Sequence, residues 1–408
     1  MTGEKPERFD RIDWTEVSRS RWFEPSINTV GVLLTALPLA LLGLYDWRVL
    51  PARTATFEPV GPEWDVGTVD YLFGFTLLCF VCYVVVPLFQ NPRRARRYRR
   101  AIGRSRPAVV SFGWLGVVFV GGIVGPFFVG APEQSVLTGH QPPVFLSIDA
   151  ANVATCVGDV VGGRCQGTWH HPLGTTRGGR DVFAGIVHGM TVSTQIGFVT
   201  TAAVAAIGVA FGTVSASAGG WVDEVMMRFV DIVLSFPTLL MFLLVLYVYD
   251  AGLGTFILVF AAFGWGGTAR HVRGKSLSVA EAEYIDASRI SGASTAHVVR
   301  RHVVPNAASS IVTQLTLLVP GVLLAEAQLA FLGLGDAGVP SWGQLIAAGR
   351  NDLAFAPWIV LAPGTALFLT VLAFNFLGDA LLDAENPELE AKRPEPEAKR
   401  PEPEAENG

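Results

Sequence analysis

Charge is what this 408-residue chain has least of. Only 16% of its residues are Asp, Glu, Lys or Arg, against 50% hydrophobic ones, and its mean hydropathy is +0.42. Such a composition excludes an ordinary soluble globular protein and makes a polytopic membrane protein the default. Lysine occurs only at Lys5, Lys275, Lys392 and Lys399, so arginine carries nearly all the positive charge. No G-x-x-x-x-G-K-[ST] loop is present, which excludes ATP binding by a P-loop in this chain. No Ser/His/Asp set or pair of carboxylates has a catalytic spacing, so the chain is not read as an enzyme. His170, His171 and His188 are close in sequence, but Pro172, Gly174 and Thr175 beside them build a turn and supply no converging ligands. No metal site and no bound cofactor are expected.

Cysteine is also scarce. Cys79 and Cys82 lie inside an apolar run, where they read as small polarizable packing. Cys156 and Cys165 lie in a polar loop placed outside the cell, where a disulfide is a candidate that spacing alone leaves open. No cleavable signal peptide is evident, because the first 27 residues mix acids with bases and the first apolar run is long enough to remain as a span.

A span needs about 20 mostly apolar residues. Eight stretches are candidates: Ile27–Tyr45, Thr68–Phe89, Ala108–Gly130, Val192–Ala216, Met227–Tyr249, Thr255–Gly267, Ala307–Leu332 and Trp358–Leu377. The sixth is short, and Gly264, Gly266 and Gly267 suit it to close helix packing. Residues 91–107 carry eight arginines and no acid, which places that stretch in the cytoplasm. A nucleic-acid reading of the run is set aside, because arginines between two spans act as topology determinants. Counting outward, both termini and the segment 268–306 are cytoplasmic, while 131–189 forms a small external cap. Asp181 is placed to cap or salt-bridge where the fourth span begins. The tail beyond Pro387 repeats EAKRPEP and has no apolar face to bury, so it is read as disordered.

Ionisable residues within spans mark ion-coupled carriers, and here they are few. Glu326 is a candidate for the pathway, or else a polar residue facing a helical interface or a water-filled cavity. Asp231 lies near the start of the fifth span. Energy must then arrive from outside the chain, and the stretch SVAEAEYIDASRISGASTAHVVRRHVVPN at 278–306 is where another protein could dock. It reads as two short helices forming an elbow. Ser278 and Glu281 supply a capping box for the first, Gly292 a left-handed stop, Ser294 or Thr295 a cap for the second, and Pro305 its end. Ala280, Tyr284, Ala287 and Ser288 share one face, with Ile290 at the hinge and Glu283, Asp286 and Arg289 more exposed.

At these residues the sequence resembles the permease subunits of ABC importers, whose ATPase-contacting loop has the form E-A-A-x3-G-x9-I-x-L-P. The match is Asp286-Ala287-Ser288-x3-Gly292-x9-His302-x-Val304-Pro305, with the spacing intact. The wider pattern through Tyr284, Ala293 and Ser294 is similar to the dipeptide/oligopeptide permeases. So are HPLGTTRGGRDVFAGIVHG at 171–189, GGWVDEVMMRFVDIVLSFPTLL at 219–240, FLGLG with PSWGQLIAAGR at 331–350, and LAFNFLGDALLDAENP at 372–387. The HPLGT segment favours the second of two paired permeases, although Thr176 stands where the family usually has Asp.

The resemblance implies an all-α membrane protein with a six-helix permease core at 108–387. It leaves 1–26 as a cytoplasmic N-terminus, 27–107 as an additional two-span hairpin and 388–408 as a charged tail. It further implies a second permease subunit, two ABC ATPase subunits that use ATP and Mg2+, and an extracytoplasmic binding protein. The cargo expected is short peptides, with nickel chelates or oligosaccharides as alternatives on the same machinery. An ion-coupled secondary carrier is the rival from another class.

Overall fold

The computed structural model describes residues 27–49, 66–249, 252–336 and 338–385. The segment 1–26 and the repeat tail 388–408 lie outside the described residues.

The chain begins with α1 (Ile27–Val49) and α2 (Thr68–Phe80), and α2 runs through a π-helical turn, Val81–Val85, into α3 (Val86–Gln90). Single residues, Asn91 and Ser105, separate α3 from α4 (Pro92–Arg104) and α4 from α5 (Arg106–Phe128). The arginine stretch is therefore a helix and not a loop. Ser105 caps α5 by accepting from the Ala108 amide at 3.4 Å, with Pro107 in its first turn, where a proline needs no intrahelical partner.

The segment between α5 and α6 folds into a small antiparallel sheet, ordered β1 (Ser147–Asp149), β3 (Arg164–Gln166), β2 (Val160–Val161). A disulfide joins Cys156 to Cys165 on β3. The HPLGT turn closes through the Gly174 amide on the His171 carbonyl at 2.9 Å, and Gly174 has a φ of +76°. Asp181 accepts from the Ala184 amide at 2.9 Å and pairs with His171 Nδ1 at 2.7 Å. It thus caps α6 (Val182–Ala218), which starts ten residues before the Val192 expected from apolarity. Its first turns are buried under the cap, and His188 bonds the Val129 carbonyl at 2.9 Å.

After α6 come α7 (Gly220–Ser235) and α8 (Thr238–Val248), then α9 (Leu253–Phe263) and α10 (Gly266–Ala280). The expected fifth span is not one helix: α7 and α8 are bent by 73° at Phe236-Pro237, where proline removes a backbone donor. The sixth runs through a 42° bend at Gly264–Trp265 into α10. Gly266 packs as expected, since a Cβ there would meet Leu234 at 2.8 Å, but Gly267 has nothing within 4 Å. Next are α11 (Glu283–Ile290), α12 (Thr295–Val298), a π turn at Val299–Val303, α13 (Val304–Phe331), α14 (Trp342–Gly349) and α15 (Trp358–Glu385).

Among the described residues, five helices are long and apolar enough to cross a membrane, or seven if each bent pair is one span; the apolar α1 packs against α2. The protein is an all-α, multi-pass membrane protein, and α6 is its hub. Gly208 and Gly212 let α10 approach closely: a Cβ on Gly212 would meet the Ala269 carbonyl at 2.5 Å. Trp342 donates to the Ile186 carbonyl at 3.0 Å, holding α14 on the same helix.

Candidate functional site

The elbow between α10 and α13 differs from expectation at both ends. Ser278 lies inside α10, which continues to Ala280, so no Ser278–Glu281 box exists. Hydrogen bonds within α10 already occupy this turn, the Glu281 amide bonding the Leu277 carbonyl at 3.1 Å, and α11 starts at Glu283 with Ala282 as its N-cap and no side-chain bond. Nor does Pro305 end the second helix. It sits in the first turn of α13, and Thr295–Phe331 forms one 37-residue span. The π turn just before it absorbs the proline, whose missing amide costs nothing at that point.

The hinge matches the sequence reading. Gly292 has a φ of +87°, its amide bonds the Arg289 carbonyl at 2.9 Å, and the Ala293 amide bonds the Ser288 carbonyl at 3.1 Å. That pair of bonds is a Schellman stop. Ser294 then caps α12, accepting from the His297 amide at 3.3 Å.

Three buried aliphatic side chains, Ile285, Val298 and Val303, hold the two arms together, with Val279, Ala282 and Ala293 packed on them. The Tyr284 hydroxyl accepts from Asn306 Nδ2 at 3.2 Å, and its ring meets that of His302 edge-on at 6.1 Å. Tyr284 and His302, 18 residues apart, are thus brought together, with Ser294 and Gly292 at the opposite corner. Asp286, Ala287, Gly292 and Pro305 are exposed, Ser288 and Ala293 half-buried, and Ile290 is 88% exposed. The outer surface of the elbow is therefore open, with an aliphatic residue at its tip and Glu283, Asp286 and Arg289 around it.

Two polar ties fix α10 to its neighbours. Arg273 Nε donates to Asp223 at 2.6 Å, and the same carboxylate accepts from Ser215 at the end of α6. Arg270 pairs with Asp231, which is therefore a partner for a basic helix and does not stand alone in a span. These partners lie 39 and 50 residues apart, and nothing in local spacing reveals them. Ile285 was legible as the lone large apolar residue between Tyr284 and Asp286, yet the face reading left it out.

Glu326 lies near the other end of α13, roughly 33 Å from Val304 at 1.5 Å per residue. It is half-buried and lines a depression with Phe242, Leu253, Phe256, Asp336 and Ser341. The structure does not bring it to the elbow. Asp70, absent from the sequence reading, accepts from Gln195 of α6 at 2.6 Å and from the Gly67 amide at 2.8 Å. Thr176, where an acid was expected, accepts from the Arg180 amide at 3.1 Å and so closes the cap turn itself.

Comparison with known proteins agrees with this architecture. Residues 208–390, which include the elbow, match the family of the binding-protein-dependent transport system inner membrane component. The oligopeptide transport system permease protein OppC of Bacillus subtilis is 40% identical over 220 residues, covering 54% of this chain and 72% of that protein. The dipeptide transport system permease protein DppC of the same organism is 34% identical over 294 residues, or 71% and 84% of the two chains. The glutathione transport system permease protein GsiD of Pectobacterium atrosepticum is 35% identical over 221 residues, 54% and 73%. This chain belongs to that family of inner-membrane permease components of ABC importers, on its dipeptide/oligopeptide branch.

Proposed function

We propose that this chain is the transmembrane subunit through which an ABC importer moves short peptides, driven by ATPase subunits that grip the elbow. The observation that carries the reading is the join between elbow and span: Thr295–Phe331 is one unbroken helix, so force on the elbow reaches the external side without a loop to absorb it. Peptides are the cargo favoured by the relatives, which are named for oligopeptides, dipeptides and glutathione.

In this mechanism an extracytoplasmic binding protein delivers the peptide to the outer mouth formed by this chain and a second permease. Two ATPase subunits, using ATP and Mg2+, close on one another and carry the elbow with them. The buried trio Ile285, Val298 and Val303 makes the elbow a rigid lever, and α13 and α10 convert its movement into alternating access. The chain binds no ATP itself. Eight spans put both termini in the cytoplasm, with 108–387 as the permease core and 27–107 as an added hairpin. Glu326, at the far end of α13, belongs to the pathway.

Gly292 provides the test. A Cβ there would meet nothing within 4 Å in this chain, and the φ of +87° adds the same backbone strain for any L-residue, so a large side chain is compared with Ala to isolate contact with a partner. In the reconstituted transporter, Gly292→Trp is expected to insert normally and to uncouple ATP hydrolysis from peptide uptake. Wild-type uptake by that variant overturns the docking role. Uptake that survives ATP depletion but collapses with an ion gradient points to a secondary carrier instead. Identifying what the partner binding protein carries tests the cargo separately.

A further inference from the structure

The arginine-rich helix α4 has no part in the transport mechanism above. Seven of its thirteen residues are arginine and none is acidic. Arg93, Arg97, Arg100 and Arg104 recur at i, i+4, i+7 and i+11, which puts them on one face of a helix. Ala95, Tyr98 and Ile102 occupy the opposite face and are half-buried where α4 lies against α5 and α15. Arg93, Arg97, Arg99 and Arg100 are exposed, and none of them forms a salt bridge among the described residues.

The depth of the helix is set by its connections. One residue joins it to the span Thr68–Gln90 and one to the span Arg106–Phe128, so neither end can leave the membrane boundary. At thirteen residues it extends about 20 Å along that boundary. A row of guanidinium groups at this level meets headgroup phosphates directly, and arginine's fixed fork of donors suits a phosphate better than a point charge does.

We propose that α4 is a binding surface for the phosphate groups of anionic lipids and seats this part of the chain on a charged leaflet. Clusters of four to eight basic residues next to a span bind such lipids through additive attraction. The proposal rests only on α2–α3 and α5 being spans, and stands or falls separately from the peptide cargo and the elbow.

The test is lipid retention by the full-length purified protein, titrated with phosphatidylglycerol or phosphatidylcholine and read by native mass spectrometry. The wild type is expected to prefer phosphatidylglycerol by about tenfold or more, and high salt should erode that preference. The quadruple variant R93Q/R97Q/R99Q/R100Q should bring the two lipids to within about threefold. The matching Arg→Lys variant keeps the charge and should keep most of the preference, which guards against misfolding of the Gln variant. Equal retention of both lipids by the wild type overturns the proposal, whatever the variants do. So does an undiminished preference in a folded Gln variant. Wild-type binding of the ATPase subunits that depends on these arginines, with no lipid preference, would assign the surface to a protein partner instead.

Discussion

The two ends of the molecule are built differently. The cap between α5 and α6 is tied by several independent devices: the Cys156–Cys165 disulfide, a three-stranded sheet, and the His171–Asp181 and His140–Asp352 pairs at 2.7 and 3.0 Å. Thr175 adds a part-buried bond from its hydroxyl to the Thr138 carbonyl at 2.5 Å. The elbow has no disulfide and no sheet, and its Asp286–Arg289 ion pair lies within α11 and does not join the arms. One small aliphatic cluster and the Tyr284–Asn306 bond hold its arms, while its outer face stays open. A surface complete in itself resembles the cap. A surface shaped but left open, with Ile290 standing out of it, is the feature on which the docking proposal rests.

The largest effect that tests this contrast is Ile285→Ala. Ile285 is fully buried, and removing such a side chain costs about 2–5 kcal/mol. Because the elbow depends on this cluster, amide exchange should accelerate across 283–303 while α6 remains protected. Equal loss of protection in both would mean that the elbow is no separate unit. Replacing Cys156 and Cys165 by serine comes next. Closing a loop of this size is worth about 2–3 kcal/mol, and the loss should appear as faster proteolysis within 147–166 with elbow exchange unchanged. A cap that resists proteolysis as before would show that its hydrogen bonds and sheet suffice without the covalent tie.

The same contrast explains what could be read from sequence. Of the eight apolar stretches, hydropathy placed five as single long apolar helices and two more as bent pairs among the described residues, because a bilayer imposes a length that the chain must meet. Gly292 was legible because few residues other than glycine accept a φ of +87° in a Schellman stop. Asp181 was legible because a cap acts over three residues. The misreadings share a cause: they treated local signals as if nothing else competed. Ser278 and Glu281 have capping spacing, but α10 enters from the membrane with its hydrogen bonds already made. Pro305 usually ends a helix, yet a π turn ahead of it places it where its missing donor is harmless. The 73° break at Pro237 went unread because hydropathy averages across a kink. Asp223–Arg273 and Asp70–Gln195 depend on tertiary placement, which carries no local signature.

Gly292→Ala is the third test, and a smaller one. Its Cβ would touch nothing, so the cost is only that of holding an L-residue in the left-handed region, about 1–2 kcal/mol. The elbow should loosen slightly in exchange measurements, and transport should fall far less than in Gly292→Trp. If the two variants transport alike, backbone strain and not a partner accounts for the effect of the larger side chain.

The smallest structural effect separates stability from docking most cleanly. Asp286 and Arg289 form an ion pair at 3.4 Å, with both side chains more than half exposed. A pair of this kind contributes about 0–0.5 kcal/mol, so Asp286→Asn should leave the melting temperature and elbow exchange unchanged. The carboxylate nevertheless stands on the open face, beside Ala287 and the hinge. If that face is the ATPase contact, the neutral variant should bind the ATPase subunits more weakly and hydrolyse ATP less in the assembled transporter. Unchanged ATPase binding would remove Asp286 from the contact. A lowered melting temperature would make the pair structural, and the elbow would then be more self-contained than its exposed surface suggests.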